Sequence, residues 1–195
     1  MESSSLQRLQ QARVGIAGVG GLGSHIAVAL ARSGVGSLVL ADFDRVEAGN
    51  LARQYYFTDQ LGEPKVTALA ATLKRVNPET RVETFFLRLE PGCLPDVFTG
   101  VGVMVEAFDR ADQKAMLVSH FRKAYPEVPL VAASGAAGRG PANLIRTRRA
   151  AKNLYLCGDG ESAVGPETPL CAARVGIVAH HQALAVVRLL LGLEP

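Results

Sequence analysis

The chain has 195 residues, of which 48% are hydrophobic and 20% are charged, and its formal net charge is +3. This length suffices for one domain whose core needs neither a disulfide nor a structural metal. The mild charge gives no argument for a nucleic-acid partner. Three cysteines, Cys93, Cys157 and Cys171, form no Cys-x-x-Cys pair, which disfavours a disulfide framework and a four-thiolate zinc site. A reducing cytoplasm fits this cysteine usage best.

The two ends of the chain predict neither a secretion signal nor a membrane span. Met1 to Gln11 is rich in Ser and Gln and lacks the apolar stretch of a signal peptide. The longest apolar segment lies near the C-terminus, and it reads as a core helix because charged or titratable residues interrupt it. These residues are Arg174, His180, His181 and Arg188. We expect a cytoplasmic protein with no membrane partner.

Predicted strands and helices alternate along the chain. In order they are strand Val14 to Ala17, a helix ending at Arg32, strand Ser37 to Ala41, helix Glu63 to Val76, strands Arg81 to Leu89 and Val101 to Ala107, helix Ala111 to Ala124, strand Leu130 to Ala133, a candidate strand Ala142 to Thr147, and helix Ala173 to Leu191. This alternation predicts an α/β fold with a doubly wound, mostly parallel sheet, Rossmann-like, and helices on both faces.

We expect residues 1–195 to form a single domain with three parts. A nucleotide-binding core covers 13–149, an irregular crossover loop covers 150–172, and a C-terminal helix covers 173–191. Ala150 to Pro169 contains many Gly, Pro and acidic residues without periodicity, which predicts a long irregular loop. A basic run spans the start of this segment and consists of Arg146, Arg148, Arg149 and Lys152. It predicts a solvated loop or, alternatively, a patch for an acidic partner.

A glycine cluster follows the first strand. The run Gly18-Val19-Gly20-Gly21-Leu22-Gly23 fits G-x-G-x-x-G, in which the glycines allow a tight turn, close approach of a phosphate and packing of the helix on the strand. The helix N-terminus then faces the anion. Asp42, at the end of the second strand, is placed to accept hydrogen bonds from a ribose hydroxyl. Together these features predict a nucleotide site, with a packing turn as the alternative.

The charges beyond the glycine cluster favour ATP over NAD. A dinucleotide pyrophosphate carries about two negative charges and ATP about four, so an ATP site should add cations and magnesium. Arg53 and Lys65 can supply the cations, and Asp109 can bind magnesium. Separately, each of them could be a surface charge. As a set they favour a triphosphate and leave a NAD-dependent oxidoreductase as the alternative.

Three segments carry the glycine cluster, Asp42, Arg53 and Asp109, and each begins where a predicted strand ends. They are Gly18 to Ser24, Asp42 to Gln54, and Ala107 to Asp112. Since ligands of doubly wound sheets bind at the carboxyl ends of the strands, we expect the three segments to converge on one crevice.

The motifs GVGGLGS, ADFDRVEAGNLARQ and GEPK, together with the strand end at Asp109, resemble the ThiF/MoeB/HesA family, the bacterial relatives of ubiquitin-activating enzymes. The resemblance implies that the Gly-Gly carboxylate of a small ubiquitin-fold sulfur carrier protein attacks the α-phosphorus of ATP, giving a carrier acyl-adenylate and pyrophosphate. The chain looks most like the compact, zinc-free ThiF type, which implies a ThiS-like carrier in thiamine thiazole biosynthesis. A molybdopterin-type carrier or a tRNA threonylcarbamoyl group is the alternative acceptor.

The resemblance also implies a role for each matching residue. Arg53, Lys65 and Asp109 become the catalytic residues, with Asp109 as the magnesium ligand. The implied cofactor-binding set is Gly18, Gly20, Gly21, Gly23, Asp42, Asp44, Asn50, Arg53, Gln54 and Lys65. Family members are commonly homodimers in which an arginine ahead of the first strand reaches the neighbouring subunit's ATP, and Arg8 is the candidate here.

The cysteines and histidines depart from the family pattern. Many members carry two Cys-x-x-Cys pairs for zinc, and their absence predicts that this chain holds no structural zinc. The family's sulfur-transfer cysteine falls some residues before Cys171. We expect Cys171 to be a buried, inert thiol, with sulfur transfer through Cys171 or Cys157 as the alternative. His180 and His181 are expected in the core or on a helix surface.

Overall fold

Seven strands form one sheet in the computed structural model, which describes residues 2–195, with side chains from Ser4 onward. The strands are β1 Arg13–Ala17, β2 Ser37–Asp42, β3 Arg81–Phe86, β4 Val103–Glu106, β5 Leu130–Ala133, β6 Arg146–Ala151 and β7 Leu154–Gly158. Their order is β3-β2-β1-β4-β5-β7-β6, and all neighbours are parallel except β6 and β7. The predicted doubly wound, mostly parallel sheet is confirmed.

The helices cover both faces of the sheet. Within the described residues they are α1 Glu2–Gln11, α2 Gly21–Arg32, α3 Lys65–Val76, α4 Leu94–Val97, α5 Ala111–Ala124 and α6 Ala172–Leu190. Residues of α2, α3 and α6, such as Ile26, Leu69 and Val178, share one buried core, and residues of α4 and α5, such as Leu94 and Phe121, share the other. No helix of the described residues is long and apolar enough to cross a membrane.

The central strands are buried on both faces, because helices cover both sides of the sheet and successive side chains of a strand point to opposite sides. In β2, Leu38 and Leu40 enter the core of α2, α3 and α6, whereas Val39 enters the core of α4 and α5. Covering both faces requires a nearly continuous apolar run, and β1 and β2 have such runs. The same runs carry the glycine cluster and Asp42 to the carboxyl edge of the sheet.

The expectation of an irregular loop over Ala150 to Pro169 is wrong in its first part. β6 and β7 pair as an antiparallel hairpin, in whose turn Asn153 has a φ of 55°. β6 lies at one edge of the sheet, so its arginines stay exposed. The segment therefore shows no alternation of apolar and polar residues. The candidate strand Ala142 to Thr147 is displaced as well. Ala142–Leu144 forms a single 3-10 turn, and the strand β6 begins at Arg146.

The segment ahead of β1 forms the helix α1, which the sequence analysis does not predict. The helix is mostly polar, and Leu9 is the hydrophobic residue that it buries. Met1 lies outside the described residues. The Arg8 guanidinium donates a hydrogen bond to the carbonyl of Leu191 at 3.2 Å, which ties α1 to the end of α6. This contact is within the chain, and the role of Arg8 toward a second subunit stays a prediction.

Candidate active site

The carboxyl ends of the central strands open on a cavity of about 620 Å³. β1 lies between β2 and β4, where the strand order reverses, and doubly wound sheets bind ligands at this point. All three segments expected to converge there contribute to its wall, and Lys65, at the start of α3, joins them. The lining includes Gly18, Gly20, Gly21, Asp42, Asp44, Arg53, Gln54, Lys65 and Asp109.

The glycine cluster joins β1 to α2 by a turn that side chains would block. Gly18 has a φ of 85°, a conformation that L-residues rarely adopt. A Cβ on Gly23 would clash with the Gly18 carbonyl, so the first turn of α2 packs against the loop backbone. Gly20, ahead of α2, offers no capping side chain, so the first amides of α2 remain available to an anion. Gly23 itself lies in this packing contact and outside the cavity wall.

Asp42 ends β2 with both carboxylate oxygens engaged by the backbone. Oδ2 accepts a hydrogen bond from the Val19 amide and Oδ1 accepts one from the Asp44 amide, both at 2.8 Å. Burial raises the pKa of Asp42, although these two amides and Lys65 act in the opposite direction. The Tyr56 hydroxyl donates to the Val19 carbonyl at 2.7 Å from the buried side. Asp42 therefore fixes the glycine turn and presents its remaining lone pairs to the cavity.

Lys65 and Arg53 bring positive charge to the same wall. Lys65 begins α3, and its Nζ lies 2.7 Å from Oδ2 of Asp44, while its amide donates to the Asp44 carbonyl at 2.9 Å. The Lys65 side chain is 6% exposed, so its ammonium is held in place by the protein. Arg53 donates to the Gly49 carbonyl at 2.9 Å and is partly exposed. The two cations and the α2 N-terminus together suit a polyphosphate.

Two residues of the expected cofactor-binding set differ in their surroundings. Asn50 lies in the 3-10 turn Ala48–Asn50, where its Oδ1 accepts from the Glu47 amide at 3.0 Å, and it does not line the cavity. Gln54 does line the cavity, and its Oε1 is buried without a hydrogen-bond partner among the described residues. Because an unpaired buried acceptor is costly, Gln54 is suited to accept a hydrogen bond from a bound molecule.

Asp109 follows β4 as an exposed carboxylate on the cavity wall. No group of three or more His, Cys, Asp or Glu among the described residues is arranged to hold a metal ion. Magnesium does not require such a cage, since it usually binds one or two carboxylates plus substrate phosphates and water. Asp109 fits that mode, since it lines the same cavity as the cations that would hold the phosphates.

An ion pair between a buried carboxylate and a partly exposed lysine supports the Asp109 turn, and the sequence analysis does not predict it. Glu106 ends β4 fully buried, and the Lys114 ammonium on α5 lies 3.0 Å from each of its carboxylate oxygens. Burial raises the pKa of Glu106, and Lys114 and the Phe108 amide oppose that shift. The Phe108 amide donates to Glu106 at 2.7 Å, which orients the residues that lead to Asp109. An acidic residue ending an apolar strand is the sequence signal that could have identified it.

Two further missed residues lie at the cavity mouth. The guanidinium carbon of Arg88 stands 4.0 Å from the ring centroid of Phe43, and both residues line the cavity. Phe43 is 45% exposed although it follows directly after Asp42. An exposed aromatic residue in the ADFD motif is the signal for it. The sequence offers no comparable signal for Arg88, which lies just after β3.

The expectation that Cys171 is buried is wrong, and its reactivity stays a prediction. Cys171 is partly exposed ahead of α6, and hydrogen bonds from the amides of Arg174 and Ala173 lower the pKa of its thiol. Cys157 is the buried cysteine, and burial raises its pKa to about 11. His180 and His181 lie along α6, where they hydrogen-bond to the Gly176 carbonyl and the Thr147 hydroxyl, as expected of helix residues.

A family model described as "ThiF family" matches residues 1–195. The molybdopterin-synthase adenylyltransferase of Salmonella typhimurium is 32% identical over 190 residues, which cover 94% of this chain and 75% of that protein. The ubiquitin-like modifier-activating enzyme 5 of Drosophila melanogaster is 46% identical over 78 residues, which cover 40% of this chain and 19% of that enzyme.

A third relative is similar in both sequence and structure. The tRNA threonylcarbamoyladenosine dehydratase of Escherichia coli is 32% identical over 152 residues, which cover 77% of this chain and 56% of that protein. Its crystal structure in complex with ATP superposes with a TM-score of 0.87 and 23% identity, covering 97% of this chain and 89% of that one. At that identity the superposition shows the shared fold.

Proposed function

The chain belongs to the ThiF family and is an adenylyltransferase, and we propose that its acceptor is the C-terminal glycine carboxylate of a small ubiquitin-like carrier protein. The observation that carries this proposal is the cavity wall, which combines a glycine turn, two cations and Asp109 at one sheet edge. The pyrophosphate of NAD can be held largely by backbone amides and a helix N-terminus, so the two added cations favour a triphosphate. Membership in the ThiF family argues against the alternative of a NAD-dependent oxidoreductase.

The proposed reaction is a displacement at the α-phosphorus of ATP. A carboxylate oxygen of the acceptor forms a bond to this phosphorus while the bond from the phosphorus to the bridging oxygen of the β-phosphate breaks. The electron pair leaves with pyrophosphate, and the acceptor becomes an acyl-adenylate. The step needs no covalent bond to the enzyme, so positioning and charge stabilisation can account for catalysis.

The nucleotide-facing residues of the wall have distinct roles in this proposal. Asp42 accepts a hydrogen bond from the ribose, and the glycine turn with the α2 N-terminus receives phosphate oxygens. Lys65 and Arg53 offset the negative charge that the leaving pyrophosphate carries away. Asp44 holds the Lys65 ammonium at 2.7 Å, so that cation needs little reorganisation when phosphate arrives.

Magnesium, when bound, would neutralise phosphate charge and align the reacting groups. Asp109 would hold it from the end of β4. The carboxylate depends for its position on the turn that Glu106 anchors through the Phe108 amide. We therefore assign Asp109 to the metal and Glu106 and Lys114 to the support of Asp109.

The names of the relatives support one class of carrier over another. The Salmonella relative, whose match covers nearly the whole chain, is named for molybdopterin synthase, and the Drosophila relative for a ubiquitin-like modifier. These names support a molybdopterin-type carrier in preference to the ThiS-like carrier of thiamine biosynthesis. The E. coli relative supports a second candidate, a threonylcarbamoyl carboxylate on tRNA. The exposed arginines of β6 are the feature of this chain that favours it.

Exchange of labelled pyrophosphate into ATP tests the proposal. The purified protein is assayed with magnesium-ATP and, separately, a molybdopterin-type carrier, a ThiS-type carrier and threonylcarbamoylated tRNA. We expect exchange with a carrier ending in Gly-Gly and none with the same carrier lacking its last glycine. Exchange with the tRNA alone would replace the carrier by the second candidate, and no exchange with any acceptor would contradict the proposal.

A further inference from the structure

The segment after β7 forms one wall of the cavity, and we call residues 159–170 the strap. Four of its side chains line the cavity: Ser162, Ala163, Val164 and Leu170. They are small or apolar, and Val164 is 66% exposed. The strap contains no helix or strand, so its position depends on a few specific bonds.

A nearly buried ion pair anchors the start of the strap. Nη2 of Arg174 lies 2.5 Å from Oδ2 of Asp159, and the two side chains are 5% and 11% exposed. The Arg174 Nη1 also donates to the Gly140 carbonyl at 2.6 Å. Arg174 thus connects α6, the strap and the segment that follows β5.

The other oxygen of Asp159 shapes the strap itself. Oδ1 accepts hydrogen bonds from the amides of Glu161 and Ser162 at 2.9 and 2.8 Å, and the Ser162 hydroxyl then accepts from the Ala137 amide at 3.1 Å. Burial alone raises the pKa of Asp159, but the Ser162 and Glu161 amides, the Ser162 hydroxyl and Arg174 lower it, and the net pKa lies well below its usual range. The pair therefore stays charged at neutral pH.

The far end of the strap has weaker support. The Gly138 amide donates to the Pro169 carbonyl at 3.0 Å, and the Thr168 hydroxyl donates to the Ala163 carbonyl at 2.7 Å. No other ion pair within the described residues reaches the strap. At its start the strap is also tied to the segment after β5 by two backbone hydrogen bonds, from the Asp159 amide to the Gly135 carbonyl at 3.1 Å and from the Gly160 amide to the Ser134 carbonyl at 2.9 Å. Among the side-chain contacts of the strap, the ion pair between Asp159 and Arg174 is the one that joins it to α6.

The strand order shows which part of the cavity the strap borders. Asp42, the proposed ribose ligand, ends β2, whereas the strap follows β7 and contacts the segment after β5. β2 and β5 lie on opposite sides of β1 and β4. A nucleotide held at Asp42 and the glycine turn leaves the β5 and β7 side to the acceptor.

We propose that Arg174 and Asp159 are positioning residues that hold the strap as the acceptor-side wall of the cavity, so that they govern acceptor binding more than ATP binding. The part of this inference that concerns the acceptor rests on the proposed function. The small and apolar strap side chains suit an extended tail of small residues, such as a Gly-Gly terminus.

The test compares Asp159→Asn and Arg174→Lys with the wild type. Glu127→Gln is the matched control, since Glu127 forms an exposed ion pair with Lys152 outside the cavity wall. Hydrogen-deuterium exchange reports on strap amides, calorimetry gives the ATP affinity, and pyrophosphate exchange gives the KM of the Gly-Gly carrier that the wild type accepts.

We expect Asp159→Asn to speed exchange in residues 160–170 by about tenfold, which corresponds to about 1.4 kcal/mol of local stability. The KM of the carrier should rise by a similar factor, and the ATP affinity should stay within about twofold. Arg174→Lys, which keeps the charge but loses the bridging fork, should show a smaller change of the same kind. Glu127→Gln should change none of these quantities.

Three results would overturn the inference. Unchanged strap exchange in Asp159→Asn would show that the pair does not hold the strap, and equal losses of ATP and carrier affinity would show that it supports the whole site. Faster exchange across β1 and α2 as well would show a general role in folding. If no carrier supports pyrophosphate exchange with the wild type, the proposed function fails together with the acceptor part, while strap exchange still decides the positioning part.

Discussion

The ammonium of Lys65 is nearly buried against the half-exposed carboxylate of Asp44, with 2.7 Å between Nζ and Oδ2. The two residues are also joined through the backbone, since the Lys65 amide donates to the Asp44 carbonyl. The start of α3 is thereby attached to the end of β2. A cation is held at the cavity wall before any phosphate binds, and this arrangement makes Lys65 the first target for substitution.

Lys65→Met should lower the rate of pyrophosphate exchange by about 10²-fold or more, because the variant removes a preorganised charge at the phosphates. Lys65→Arg should retain part of the activity. Lys152→Met is the control, because Lys152 forms an exposed pair with Glu127, and it should exchange at the wild-type rate. A Lys65→Met enzyme as active as the wild type would remove Lys65 from the proposed mechanism.

Asp109→Asn should make exchange require more magnesium, since a neutral amide is a weaker ligand for a hard cation. A magnesium titration of the exchange rate measures this shift. Asp96→Asn, which alters an exposed carboxylate on α4 away from the cavity, serves as the control. Identical titration curves for the wild type and Asp109→Asn would place the metal elsewhere.

Asp42 should give a pH dependence of stability with a definite sign. Burial raises its pKa in the folded protein above the unfolded value, so its ionised form disfavours folding. As the pH falls through the folded pKa toward the unfolded one, that unfavourable contribution disappears. The free energy of unfolding of the wild type should therefore rise relative to Asp42→Asn between about pH 7 and about pH 4.

Urea unfolding of both proteins across that pH range measures the difference. Glu106, which also has a raised pKa, titrates in both proteins and cancels to first order. A difference that stays constant or decreases on acidification would mean that the Asp42 pKa is not raised. ATP affinity should change in the opposite sense and weaken on acidification, because protonation removes an acceptor for the ribose hydroxyl.

Cys171 should react with iodoacetamide faster than Cys157 at neutral pH. The amides of Arg174 and Ala173 lower the Cys171 pKa, while burial raises that of Cys157 to about 11. Peptide mapping by mass spectrometry during labelling resolves the two sites, and Cys171→Ser should abolish the faster modification. Equal rates for the two thiols in the native protein would contradict the contrast in their surroundings.

Gly23→Ala should destabilise the protein, because its Cβ would clash with the Gly18 carbonyl. Overpacking of this kind costs about 1–3 kcal/mol, which urea unfolding can resolve. Gly49→Ala is the matched control, because a Cβ there meets no atom within 4 Å. Equal unfolding midpoints for the two variants would show that the α2 N-terminus can move away from the glycine turn.

Local pattern was enough to predict the central part of the fold. β1, β2 and β5 are buried on both faces and appear as apolar runs, and α3 and α5 appear as helical patterns. The edge strand β6 was not predicted, because a strand with one neighbour can keep exposed arginines and shows no apolar alternation. β7, which lies between β5 and β6, is a short apolar run that the sequence analysis assigned to the irregular loop. The polar helix α1 was hidden for a similar reason, since few of its side chains are buried.

The sequence by itself determined the residue types at the strand ends, because glycine, aspartate and lysine at fixed spacings after apolar runs restrict the chemistry to nucleotide binding. Only the tertiary structure decided which charges act together. Glu106 meets Lys114, and Asp159 meets Arg174, across segments that no sequence period relates. Ion pairs of this kind form where the packing of helices on the sheet brings distant side chains into one low-dielectric region, and a linear pattern does not encode that proximity.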